Sequence, residues 1–224
     1  MARQDGAKYT LAVLTCVNLL NYADRYVPAA VKEPIKAELG LSDAETALPT
    51  TAMVLVFMVS GVLFGLLADK QVVDRRIILA GGVLCWSVAT AAAGMATDLN
   101  QLVLYRSFVG FGEAAFSVVS GPLLADMFPP RDRNVVFAIY YLAIPLGGAV
   151  GFVVGAALGA MFGWRAAFQF IGLPGVFVAL ASLRINDPLR GINDTYLIPT
   201  DRNTGSNAGS NTGSNTGSKT GSQG

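Results

Sequence analysis

Six stretches of about twenty mostly apolar residues follow one another along this chain, and nothing else in the sequence limits its fold so tightly. They lie near residues 9–31, 47–68, 77–96, 100–126, 133–159 and 166–185. As a helix rising about 1.5 Å per residue, each is long enough to cross a bilayer core of roughly 30 Å. Composition agrees: 53% of the 224 residues are hydrophobic and only 14% charged. The mean hydropathy of +0.50 lies outside the usual range of soluble domains. The expected fold class is therefore an all-α membrane protein with six transmembrane helices, in contact with the lipid bilayer throughout. The first run is too long for a signal-peptide core and carries an Asp-Arg pair instead of an A-x-A cleavage site.

Several function classes drop out at once. A net charge of +1 without a long basic run offers nucleic acid no purchase. With no histidine in the chain, histidine-ligated zinc, a histidine base and a histidine proton relay are all excluded. Neither a metal-ligand cluster, a phosphate loop nor a nucleophile with its base is apparent, so an enzyme has no support and no cofactor is expected. Cys16 and Cys85 each sit in an apolar run and are expected to be buried free thiols.

Orientation follows from Lys and Arg in the connecting segments. Arg3 and Lys8, then Lys70, Arg75 and Arg76, then Arg131 and Arg133, then Arg184 and Arg190 all fall on one side. The other side has only Lys32, Lys36 and Arg165. Both termini are expected in the cytoplasm, with residues 1–8 as a short leader to a transmembrane unit over 9–191. From residue 192 to 224 the composition turns to Asn, Thr, Gly and Ser in an approximate four-residue repeat. Such a segment buries too little apolar area to offset ordering and is expected to be a disordered coil. A linker, a solubilising tail and a gene-end artefact all fit it. The sequon Asn193-Asp194-Thr195 is expected to stay idle on the cytoplasmic side.

Charge at membrane depth is the main functional signal. Asp24 and Arg25 fall inside the first run, and Arg106 and Glu113 inside the fourth. Each charge at a helix centre costs roughly 2.5–3.5 kcal/mol, so all four should face protein or water. Adjacent helix residues diverge by about 100° and do not pair well with each other, whereas Arg106 and Glu113, seven residues apart, share one face. We expect Asp24 to meet Arg106, and Glu113 to lie near Arg25 or open to a cavity. Two roles suit such a group: a static cluster that fixes helix packing, or a titratable relay coupling protons to a conformational change.

The loop after the second run, GLLADKQVVDRR, resembles the loop motif of the major facilitator superfamily. Gly65, Leu67, Ala68, Asp69, Lys70, Arg75 and Arg76 match, while the central glycine is absent and Val72-Val73 adds two residues. The resemblance implies a conformational latch, in which Asp69 would meet a helix N-terminus of a second six-helix half. NYADRY, VGFGEAAFSVVSGPLLADMF and FAIYYLAIPLGGAVGFVVG are similar to the Spinster branch, whose members carry sphingolipid- or lysophospholipid-type solutes. Over residues 9–191 the chain thus looks like the N-terminal six-helix half of such a carrier. Asp24, Arg25, Arg106 and Glu113 match intramembrane charged positions of the branch, implying substrate binding or proton coupling. A neighbouring branch of organic-anion carriers is the alternative for substrate.

Gly147, Gly151, Gly155 and Gly159 form a four-residue stripe, fit for close helix packing inside this unit or against a second one. Pro145 and Gly172-Leu173-Pro174-Gly175 are expected to mark bends, and Trp164-Arg165 to anchor at the outer interface. Since superfamily carriers have two such halves, two readings stand. Either the chain pairs with a copy of itself or a relative to carry a small amphiphilic or lipid-like solute, or it is a truncated half that regulates a full-length carrier or has no activity. Plasma membrane and endolysosomal membrane are equally compatible with the residues.

Overall fold

The computed structural model describes residues 2–70 and 73–191. Val72 of the loop, the sequon and the Asn/Thr/Gly/Ser-rich segment lie outside the described residues. The helices are α1 (Ala2–Ala30), α2 (Lys32–Leu39), α3 (Asp43–Asp69), α4 (Arg75–Ala93), α5 (Leu99–Met127), α6 (Pro130–Phe162) and α7 (Trp164–Ser182). No strand occurs among the described residues.

Five of these helices, α3 to α7, are long and apolar enough to cross a membrane. α1 is long enough at 29 residues, but Asn18, Asn21, Asp24 and Arg25 dilute its apolarity. Asn18, Asn21 and Asp24 are all buried. Their polar atoms turn into the bundle, the only economical way to carry them at membrane depth. α2 was not anticipated from the sequence, because eight residues with alternating charge carry no span signal. Ile35 anchors it in the core, and Gly40 ends it in a left-handed conformation.

Local chemistry sets the helix starts. Ser42 and Glu45 form a reciprocal capping box at α3, with Ser42 N donating to Glu45 Oε2 at 2.8 Å. Asp74 and Asp98 cap α4 and α5, and Pro130 opens α6 at a position where no amide donor is needed. Gly163 separates α6 from α7 with φ of 85°, a backbone that side chains rarely tolerate.

α1 packs along α6, α3 and α4 each pack on α5, and α7 packs on α4, with smaller contacts to α1 and α6. Glycines carry most crossings. The stripe on α6 faces α1: a Cβ on Gly147 or Gly151 would enter the van der Waals envelope of Leu19 O or Ala23 O, and one on Gly159 would crowd Val31. Of the two expected uses of this stripe, packing inside the unit is the one these contacts display. α7 continues through Pro174, and its Gly172 and Gly175 lie against Ser87 and Ala91 of α4. α6 likewise continues through Pro145.

Apolar side chains form two clusters. One includes Val13, Leu14, Val17, Leu79, Phe116, Leu123 and Leu124. The other includes Val27, Val31, Ile35, Ala93, Leu102, Trp164 and Phe168. Along α1, residues 24 and 25 fall between the two. Two expectations need correction. Trp164 is buried in the second cluster, because its indole is held by α2 and does not sit at a lipid interface. Cys16 is exposed and Cys85 half-buried, both free, since an apolar run in a membrane helix shows one face outward.

Candidate functional site

α1 and α5 approach each other at few points along their lengths, and long charged side chains bridge the gap. Arg106 Nη1 donates to both oxygens of Asp24, at 3.1 and 3.2 Å, and Nη2 reaches Met53 Sδ at 2.9 Å. Arg25 Nη2 lies 2.5 Å from Glu113 Oε2. The structure thus brings together all four charged residues singled out in the sequence, in the expected pairs. Asp24, Arg106 and Glu113 are buried, while the Arg25 side chain keeps 26% of its surface exposed. Its guanidinium lies over the rings of Tyr22 and Phe57, at 5.5 and 5.1 Å from their centroids.

The charges balance, but their hydrogen-bonding capacity does not. Arg25 Nε, Arg106 Nε and Asn21 Nδ2 are buried without a hydrogen-bond partner, and Glu113 Oε2 is ion-paired with Arg25 while neither Glu113 oxygen has an aligned hydrogen bond. Buried polar groups left this way are costly, and they are tolerated beside space for water or a ligand. Such space adjoins Arg25 and Asn21: a cavity of about 350 Å³ is lined by Asn18, Asn21, Tyr22, Arg25, Phe57, Ser120 and Tyr140 among others. Tyr140 is fixed there, its carbonyl accepting from Asn18 Nδ2 at 3.0 Å and its hydroxyl 2.9 Å from Ser120 Oγ. Asn18, Asn21, Ser120 and Tyr140 were not singled out in the sequence. Asn21 lies four positions and Asn18 seven before Arg25, and Ser120 lies seven after Glu113, spacings that share a helix face; Tyr140, on α6, has no such marker.

A second polar network lies at the bundle end opposite α2. Arg75 donates through Nε to Asp187 Oδ1 at 2.8 Å, through Nη1 to Asp126 Oδ2 at 2.6 Å and through Nη2 to Pro188 O at 2.9 Å. Arg190 donates to Ala68 O and stands 3.8 Å from Asp69 Oδ1. Asp74 caps Arg76 N and receives its guanidinium, which holds the Asp74 carboxyl below the usual carboxylate range. Gly65 lines a cavity of about 370 Å³ together with Asp69, Arg75, Asp126 and Arg190. Lys70 ends α3 and is exposed. Asp126 and Asp187 were missed as partners of Arg75, since nothing local to either marks it.

At the α2 end, Glu38 accepts from Trp164 Nε1 at 2.6 Å and pairs with Arg165, whose other nitrogen reaches Ala96 O at 3.1 Å. The bonds from Arg165 and then Trp164 hold the Glu38 carboxyl below its ordinary range. No group of three or more His, Cys, Asp or Glu able to hold a metal ion occurs among the described residues.

Residues 14–196 match the Major Facilitator Superfamily pattern. The chain belongs to the major facilitator superfamily. Within it, the chain is similar to Protein spinster of Drosophila melanogaster, 32% identical over 184 residues, covering 82% of this chain and 30% of that one. Human Protein spinster homolog 1 is 34% identical over 185 residues, covering 81% and 35%. The Sphingosine-1-phosphate transporter SPNS2 of Danio rerio is 34% identical over 186 residues, covering 81% and 36%. Among solved structures, a bacterial homolog to the human lysosomal transporter Spinster, in an inward-facing and occupied conformation, superposes with a TM-score of 0.77 at 30% identity. That match covers 84% of this chain and 46% of the other. The chain spans about a third of the length of the curated relatives it matches. The resemblance read from GLLADKQVVDRR, NYADRY and the α5 charges therefore led to the superfamily and the Spinster relatives.

Proposed function

We propose that α1 and α3–α7 form one half of a Spinster-type secondary carrier that moves a small amphiphilic, lipid-like solute with proton coupling. One observation carries this reading: a charge layer of Asp24, Arg25, Arg106 and Glu113, incompletely hydrogen-bonded, beside a polar cavity of about 350 Å³. The Glu113 carboxylate and an anionic solute then compete for Arg25, the one member of the layer with exposed surface, and a proton taken by Glu113 frees the guanidinium for the solute. The relative named as a sphingosine-1-phosphate transporter makes a charged head on a long chain the first solute class to try. A facing six-helix half, from a second copy or a relative, would complete the cavity and meet Asp69 at the latch. The apolar outer faces of α3 and α6, with Leu55, Met58, Val62, Leu142 and Val153 exposed, suit such a partner and lipid. The Lys and Arg distribution supports cytoplasmic termini.

The test is proton-driven uptake of a labelled lysolipid into vesicles containing the chain, after crosslinking has established whether it assembles. A crosslinked species of about twice the chain mass and uptake that follows an inward proton gradient are expected. Glu113→Gln should remove the gradient dependence while the protein still folds. Unchanged pH dependence in that variant overturns the coupling role, and a strictly monomeric chain overturns the paired carrier.

A further inference from the structure

The segment after α7 is pinned at both ends. Arg75 holds Asp187 and the carbonyl of Pro188, and Gly191 N donates to Asp126 Oδ1 at 2.8 Å. Between these pins Arg190 is delivered to the C-terminal end of α3, where the last carbonyls lack intrahelical donors and carry partial negative charge. There it donates to Ala68 O, with Asp69 Oδ1 3.8 Å away. The Asp69 side chain is 84% exposed, and this is a loose ion pair. An exposed pair at that distance is weak, which suits a reversible hold. Arg190 itself is not free to wander, since its neighbours on both sides are fixed by buried or half-buried groups.

We propose that Arg190 is an internal competitor for Asp69: it keeps the latch carboxylate on its own unit until the facing half takes it. The inference rests on the paired-carrier reading and adds a regulating residue to its latch. Releasing Asp69 to the facing half means exchanging Arg190 for that partner's donors, so Arg190 biases the carrier toward the state in which the cavity around Gly65 is open.

The cavity supplies the readout. A Cβ added at Gly65 would meet nothing within 4 Å, so Gly65→Cys places a thiol there without displacement, in a chain also carrying Cys16→Ala and Cys85→Ala. Maleimide labelling of the full chain in native membranes then reports how long the cavity stands open. Arg190→Ala should slow labelling about 1.4-fold to fivefold, the range of a weak surface pair. Arg190→Gln, which keeps a donor for Ala68 O but loses the charge, should do the same and covers the case in which the alanine variant misfolds. Asp69→Asn should speed labelling, and adding Arg190→Ala to it should change nothing more. The proposal is overturned if Arg190→Gln leaves the rate unchanged, or slows it equally in the Asp69→Asn background, where Arg190 would only cap α3. If Asp69→Asn speeds labelling and the Arg190 variants do nothing, the competitor alone falls. If Asp69→Asn itself has no effect, the latch of the carrier reading falls with it.

Discussion

Arg75 and Arg106 are both buried, yet the fold satisfies them in opposite ways. Arg75 spends Nε, Nη1 and Nη2 on two carboxylates and a carbonyl, tying together α4, α5 and the segment after α7. Arg106 has one carboxylate and a thioether, and its Nε is left without a partner. A cation with every nitrogen engaged is a pin, because displacing it breaks several charge-assisted bonds together. A cation with a spare donor, beside a second ion pair, can exchange partners at less cost. The same residue type therefore builds rigidity at one end of the bundle and leaves adaptability at its middle.

The contrast is sharpest in stability. Arg75→Ala leaves Asp126 and Asp187 without their shared cation and should cost about 3–5 kcal/mol, read as a large drop in the detergent unfolding midpoint. Gly151→Ala should cost about 1–3 kcal/mol by forcing α1 off α6, and it should displace Asp24 and Arg25 along with α1. Arg106→Lys keeps one cation for the one carboxylate and should lose only about 0.5–1.5 kcal/mol. An equal loss for Arg106→Lys and Arg75→Ala would erase the distinction between pin and exchangeable partner.

The smallest effect belongs to Glu38. Its carboxyl is depressed by Arg165 and Trp164, so the clamp contributes at any pH above the unfolded value, about 4.3, and is lost as pH falls through the lower folded value. The Trp164 emission, obtained as the difference from a Trp164→Phe variant, should hold constant from about pH 7 to 5 and shift only below the ordinary carboxylate range. Glu38→Gln should show a shifted emission at every pH. A shift between pH 7 and 5 in the wild type would place the clamp among the exchangeable pairs.

Much of the candidate site was legible because membrane burial makes charge conspicuous. Asp24, Arg25, Arg106 and Glu113 stand out of apolar runs, and helix spacing alone puts Arg106 and Glu113 on one face. The uncharged members, Asn18, Asn21, Ser120 and Tyr140, are common in membrane helices and give no comparable signal. The Arg75 network was half visible: its cation sits in a recognisable loop, but Asp126 and Asp187 are distant in sequence and ordinary in their surroundings.

The sequence by itself determined that the chain is helical and suited to a membrane, and that the charges in its first and fourth apolar runs must face protein or water. Those outcomes follow from terms that act on any arrangement: the length needed to cross hydrocarbon and the cost of leaving a charge in it. Only the tertiary structure decided that the α6 glycines face α1, that Trp164 is buried under α2 and that Arg190 rests on Asp69. Each depends on the rotation and depth of one helix against another, quantities that many side chains set together and that no local pattern contains.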